Sequence, residues 1–227
     1  NLRSIGVSKV TKFMIRYLIF DLDETLYPRG SGVMEEIRRL ILRYMIERLG
    51  MDAEEARALR RRYLIEYGTT MAGLLRHQHI DPDDYLDYVH DFPARRYLRT
   101  NDELDAVLEA IPLQKAIWTN GTRAHAVRVL SALGVRRHFS RIVDVRDMGY
   151  ISKPAPESYR RLLGMLGAEG PECILVEDSV RNLRPAKAMG MITVLVDGEG
   201  DEDVDFVIGR VEEIGRVVFG LLAPDEH

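Results

Sequence analysis

Short, continuous apolar runs recur along the chain: Tyr17-Leu18-Ile19-Phe20, Ala116-Ile117-Trp118, Ile142-Val143, Ile174-Leu175-Val176 and Ile192-Thr193-Val194-Leu195-Val196. A run that is apolar at nearly every position, rather than at every second one, is the pattern of a strand buried on both faces. Between these runs the apolar positions follow a helical period over residues 101–110, 122–133, 155–166, 180–189 and 211–222. Strands and helices in alternation predict an α/β fold, a parallel sheet with helices on both faces.

One long stretch breaks the alternation. Between residues 33 and 92 no segment reads as a strand. Val33, Ile37, Leu40, Ile41, Tyr44, Met45 and Leu49 fall at helical spacing, and Gly50 is a plausible stop. A second helix is predicted over 53–67 with Asp52 as its N-cap. Shorter helices are predicted over 69–78 and 82–90, the latter with Pro82 at its first position. The stretch reads as a helical lobe, residues 29–93, inserted into a core made of 14–28 and 94–227. Tyr27-Pro28-Arg29-Gly30-Ser31-Gly32 and Phe92-Pro93 read as its hinges.

Composition narrows the classes. A chain of 227 residues is long enough for one full core and a modest second lobe. A net charge of -4 argues against a nucleic-acid partner, yet leaves phosphate substrates open, because a bound cation reverses the local sign. No apolar stretch approaches the roughly 20 residues that span a bilayer, so no membrane partner is expected. Residues 1–13 lack the apolar core of a signal peptide and read as an extension ahead of Met14. The one cysteine, Cys173, lies in an apolar run and reads as buried core; a reducing, cytoplasmic location fits.

The candidate chemistry gathers at the ends of the apolar runs. Asp21-Leu22-Asp23-Glu24-Thr25 follows the first, at the carboxyl edge where open parallel sheets bind ligands. An extended backbone would aim Asp21 and Asp23 to one side, and two close carboxylates call for a cation or a proton between them. Thr119-Asn120-Gly121-Thr122 follows the second run and reads as an anion-binding corner at a helix start. Lys153-Pro154 offers a held cation able to neutralise a carboxylate and a phosphate together. Glu177-Asp178 follows the fourth run, with Asn182 downstream. Magnesium prefers such oxygen ligands, and Asp21 and Asp178 supply them if their strands are neighbours. Each element alone has an ordinary account as a solvated turn, a helix cap or a loop charge; the four together, all at strand ends, do not share one.

In these residues the chain resembles the haloacid dehalogenase superfamily over about residues 15–197. The resemblance implies a Rossmann-like three-layer core and a mobile helical cap. It implies a magnesium-dependent phosphomonoester hydrolase working through an aspartyl-phosphate. Asp21 would be the nucleophile and Asp23 the general acid and then base. Thr119 would bind the phosphoryl group, and Lys153 would hold nucleophile and phosphate. Asp21, Asp178, the Asp23 carbonyl and Glu177, as ligand or as neighbour, would surround Mg2+. Dehalogenases of this superfamily normally lack the second aspartate, so Asp23 weighs against halide chemistry.

A narrower resemblance, to the pyrimidine 5′-nucleotidase branch, rests on Thr25-Leu26-Tyr27-Pro28, on Tyr63 to Thr70 with Gly73-Leu74, on Trp118-Thr119-Asn120-Gly121 and on Lys153-Pro154. It implies a nucleoside monophosphate as the small phosphate ester. Where that branch often carries two aspartates in its fourth motif, this chain has Glu177-Asp178. Asn120, Gly121, Tyr27 and Tyr67 are the expected substrate contacts, with Thr70 and Arg76 beside them. A phosphomutase, or a non-catalytic regulator on the same scaffold, remains open at this level, as does the oligomeric state.

Overall fold

The computed structural model describes residues 14–223, so the extension assigned to 1–13 lies outside the described residues. Six strands form one sheet in the order β3-β2-β1-β4-β5-β6, and every neighbouring pair is parallel. They are β1 (Tyr17–Phe20), β2 (Gln114–Trp118), β3 (Arg141–Val143), β4 (Cys173–Glu177), β5 (Ile192–Val196) and β6 (Phe206–Ile208). The first five coincide with the apolar runs. The sixth is not announced by the pattern, because Val207 is exposed and only Ile208 of its three residues is buried.

β1 illustrates why the runs lack polar positions. Leu18 and Phe20 enter one apolar cluster and Tyr17 and Ile19 the other, so successive side chains serve opposite faces of the sheet. The first face is covered by α5 (Asp102–Ala110), α6 (Arg123–Leu133) and α9 (Ile214–Leu222) through Leu104, Leu108, Val129, Leu130, Ile214 and Val218. The second is covered by α7 (Pro156–Leu166) and α8 (Val180–Ala188) through Tyr159, Leu162, Leu166, Leu183 and Ala186. The result is the expected three-layer Rossmann-like arrangement. Cys173 is buried within it.

Between β1 and α5 lie α1 (Val33–Glu47), α2 (Ala53–Tyr67), α3 (Thr70–His77) and α4 (Pro82–Val89). Their ends obey local chemistry. Asp52 accepts from the N–H groups of Glu54 and Glu55, Thr69 from Ala72 and Asp81 from Asp83, each satisfying donors that a helix start leaves free. α1 stops at Glu47, short of the expected boundary at Gly50. The four helices pack on one another, and their apolar residues join the cluster on the first sheet face.

The sheet order decides where chemistry can occur. From β1 the chain builds β2 and β3 on one side, then returns through α7 to place β4 on the other. β1 therefore lies between β2 and β4, at the switch in strand order where open α/β sheets bind ligands. The register aligns Phe20 with Ile117 and with Val176, and the Asp21 N–H donates to the Val176 carbonyl at 2.9 Å. Asp21, Thr119 and Glu177 thus leave three adjacent strands at one edge.

Candidate active site

Lys153 ties the edge together. Its Nζ donates to Asp21 Oδ1 at 2.6 Å, to Glu177 Oε1 at 3.1 Å and to the Trp118 carbonyl at 3.1 Å. Lysine, Asp21 and Glu177 are all buried, so none of these charges is left to water. The other oxygen of Asp21 accepts from the Thr25 hydroxyl at 3.1 Å. Both oxygens of Glu177 are engaged: Oε1 also accepts from the Asn182 amide, and Oε2 from the Ser179 N–H at 2.7 Å.

Burial pushes the Asp21 carboxyl up to about 6, with Asp178 and Asp23 adding repulsion and Lys153 opposing it. Burial pushes Glu177 up to about 8, with Asp21 and Asp178 adding repulsion and Lys153 again opposing it. For Lys153 burial acts downward, but Asp21 and Glu177 outweigh it and raise the ammonium to about 12. The lysine is a fixed cation, and the acids around it hold more negative charge than it can neutralise.

Asp21, Glu177 and Asp178 each offer a carboxylate oxygen, and the three oxygens lie within 4.8 Å of one another. An all-oxygen set with surplus negative charge fits a hard divalent cation such as magnesium. Asp178 is partly held from outside: Arg29 Nη2 donates to its carbonyl and to its Oδ2, both at 2.9 Å.

The second strand end supplies a hydroxyl and a backbone corner. Thr119 is buried and its Oγ1 accepts the Gly121 N–H at 2.9 Å, which leaves the hydroxyl hydrogen free to donate elsewhere. Asn120 faces the Lys153 loop rather than open space. Its Oδ1 accepts the Lys153 N–H at 2.8 Å and its amide donates to the Lys153 carbonyl at 3.2 Å. Thr122 caps α6, accepting the His125 N–H at 3.1 Å.

Asp23 sits in a separate arrangement. Its Oδ1 accepts the Tyr27 hydroxyl at 2.6 Å and His125 Nε2–H at 2.8 Å. Burial disfavours its charge, but His125, Tyr27 and the nearby His90 together hold it below the usual carboxylate range. Tyr27 is buried, with its hydroxyl turned to Asp23. Tyr67 lies on α2, and its hydroxyl meets His77 Nε2 at 2.8 Å while Arg76 stands over its ring. Thr70 is buried, beside Thr69, whose Oγ1 lies 3.3 Å from Ser152 Oγ. Sequence reasoning missed His125 and the pairing of Arg29 with Asp178. A lone histidine in an amphipathic helix carries no signal of its partner.

Residues 15–190 match the family model for haloacid dehalogenase-like hydrolases. The chain belongs to that family. It is 26% identical over 191 residues to Phosphate metabolism protein 8 of Saccharomyces cerevisiae, a match covering 78% of this chain and 60% of that protein. It is 26% identical over 237 residues to Glyceraldehyde 3-phosphate phosphatase of Methanocaldococcus jannaschii, covering 92% of this chain and 99% of that one. Among solved structures, a HAD phosphatase from Thermococcus onnurineus matches with a TM-score of 0.61 at 20% identity, over 90% of this chain and 98% of that one, a likeness of fold. Among the described residues of this hydrolase, no helix is long and apolar enough to cross a membrane.

Proposed function

We propose that this hydrolase is a magnesium-dependent phosphatase of small phosphomonoesters in which Asp21 is the nucleophile. The observation that carries the reading is the buried Lys153 bridge between Asp21 and Glu177, beside a third acid, Asp178. An anionic nucleophile meeting an anionic phosphate needs that surplus repulsion removed. Relatives named as phosphatases of a three-carbon sugar phosphate support the substrate class.

Asp21 and Asp178 would hold Mg2+ with the Asp23 carbonyl. Glu177, whose oxygens already accept protein donors, would orient them from behind. When bound, magnesium supplies charge neutralisation at a phosphoryl oxygen. Lys153 holds the Asp21 carboxylate in place, and the Thr119 hydroxyl donates to a phosphoryl oxygen. Asp23 gains its proton in the complex, where the anionic phosphoryl group opposes a second negative charge beside it. It gives that proton to the departing ester oxygen, then takes one from the water that cleaves the aspartyl-phosphate.

In this reading α1–α4 form a cap, residues 29–93, on a core of 14–28 and 94–227, described here to residue 223. The cap meets the Lys153 loop where Gly68 lies against Pro154 and Thr69 against Ser152, and Arg181 of α8 donates to the Leu64 carbonyl at 2.8 Å. The leaving group would be chosen there, with Tyr67 and Gly121 among its contacts. The resemblance of Thr25–Pro28, Tyr63–Thr70 with Gly73-Leu74, and Trp118–Gly121 to nucleotidases favours a pyrimidine nucleoside monophosphate; the curated relatives favour a sugar phosphate.

Phosphate release from an aryl phosphate, glyceraldehyde 3-phosphate and pyrimidine nucleoside monophosphates, with and without Mg2+, tests the reading. Release that needs the metal and falls by about 10³-fold or more in Asp21→Asn is the expected result. Folded protein inert on the whole panel overturns it. Isomer interconversion without net release points to a phosphomutase, and binding without turnover to a regulator.

A further inference from the structure

Two donors converge on one oxygen of Asp23. The Tyr27 hydroxyl and His125 Nε2–H both reach Oδ1, at 2.6 and 2.8 Å. Among the described residues no donor reaches Oδ2. A carboxyl group held through one oxygen by two donors has lost its freedom to rotate, so its second oxygen is presented in one direction.

The His125 ring is itself immobilised. It is fully buried in the first turn of α6, where the Thr122 cap fixes its backbone. The His90 ring lies 4.7 Å from it and the Phe92 ring 5.7 Å, centroid to centroid. His90 is anchored in turn, its Nδ1–H donating to the Leu86 carbonyl at 2.9 Å. A Cβ at Gly121 would lie 3.3 Å from His90 Nε2 and 3.4 Å from His125 Cδ2, so the bare glycine leaves room for the paired rings. The geometry is that of a built support. The ring's one hydrogen bond goes to Asp23, while its Nδ1 has no partner among the described residues.

We propose that His125, with Tyr27, is a positioning residue that pins Asp23 through Oδ1 and so makes Oδ2 the atom that exchanges the proton with the leaving group and with water. The inference rests on the phosphatase reading above. In the first step the bond from an Asp21 oxygen to phosphorus forms as the phosphorus–ester oxygen bond breaks, and the ester oxygen takes the proton from Oδ2. In the second, a water oxygen bonds to phosphorus, the Asp21–phosphorus link breaks, and the water proton goes to Oδ2. Inorganic phosphate leaves and Asp21 is regenerated. His125 never touches the substrate in this scheme.

A residue that only holds the fold would change all substrates alike. A residue that aims the proton donor matters most when the leaving group is a poor one, because a nitrophenolate departs without a proton and an alkoxide does not. The test compares kcat/KM, which reports the step in which the ester oxygen leaves, for p-nitrophenyl phosphate and for an alkyl phosphate. His125→Leu is expected to lose about 10²-fold on the alkyl ester and under about tenfold on the aryl ester. His125→Gln keeps an N–H at a similar reach and is expected to recover most of the alkyl loss. Tyr27→Phe, which keeps the ring and removes the other donor, is expected to show the same selective loss and serves if His125→Leu folds poorly.

Equal losses on both esters in folded variants, or a His125→Gln protein no better than His125→Leu, overturn the positioning role while leaving the phosphatase reading intact. A wild-type protein that releases no phosphate from either ester overturns the reading on which the inference stands.

Discussion

Lys153 Nζ donates to Asp21 Oδ1 at 2.6 Å across 132 residues of chain, in a site where both groups are buried. The pair does more than offset two charges. It fixes the carboxylate that the proposed chemistry uses, and it keeps the sum of Asp21, Glu177 and Asp178 tolerable inside the protein.

Lys153→Met should therefore destabilise the fold as well as stop turnover. Removing one partner of a buried ion pair leaves the other uncompensated, at a cost of about 3–5 kcal/mol. Phosphate release is expected to fall by roughly 10²-fold or more, since the cation proposed to hold the nucleophile and the phosphoryl group is gone. Urea unfolding and a phosphate assay on the same preparation measure both. Wild-type stability in the variant would refute the bridge.

Metal-free protein should lose stability as pH rises. Asp21 and Glu177 are raised to about 6 and about 8, above their ordinary values of 3.8 and 4.5. Between those limits the folded state binds more protons than the unfolded one, so unfolding free energy declines with pH and levels off above about 8. Asp23, held low, acts in the opposite sense in acid, and so does His90, which burial lowers to about 3 from an ordinary 6.5, so the decline is expected from about pH 6.5 to 8. Lys153, raised to about 12, stays charged throughout this window. Thermal melts from about pH 6.5 to 9 without divalent cation check the slope.

Magnesium should reverse that slope. Cation and protons compete for the same carboxylates, so the rise in melting temperature on adding Mg2+ is expected to be larger at high pH than at low. Asp178→Asn should weaken magnesium binding by about tenfold or more, read by calorimetry rather than by activity. An unchanged affinity would remove Asp178 from the ligand set.

Gly68→Ala tests the contact between the end of α2 and the Lys153-Pro154 loop. Gly68 ends α2 at φ +85°, and a Cβ there would come 2.5 Å from Pro154 Cδ. The backbone strain alone costs about 1 kcal/mol, and the clash falls on the residue next to Lys153. Lower stability together with lower kcat/KM is the expected outcome. Loss of stability with full activity would show that the loop absorbs the change.

Much of this protein was legible before any coordinates. The five apolar runs mark β1 to β5 because a strand buried on both faces admits few polar side chains, and Asp52 and Thr122 mark helix starts because their side chains satisfy free N–H groups nearby in sequence. β6 escaped because an edge strand of three residues with an exposed centre has no pattern to read. Asp21, Thr119, Lys153 and Glu177-Asp178 could be named singly, since each follows an apolar run or precedes a proline. Tertiary structure alone decided that β1 lies between β2 and β4, which brings Asp21, Glu177 and the Trp118 carbonyl onto one lysine. It also decided that His125 and Tyr27 meet on one oxygen of Asp23. Local pattern encodes which face a side chain shares with its near neighbours. It does not encode which distant partner will be packed against that face, and the proposed chemistry depends on those partners.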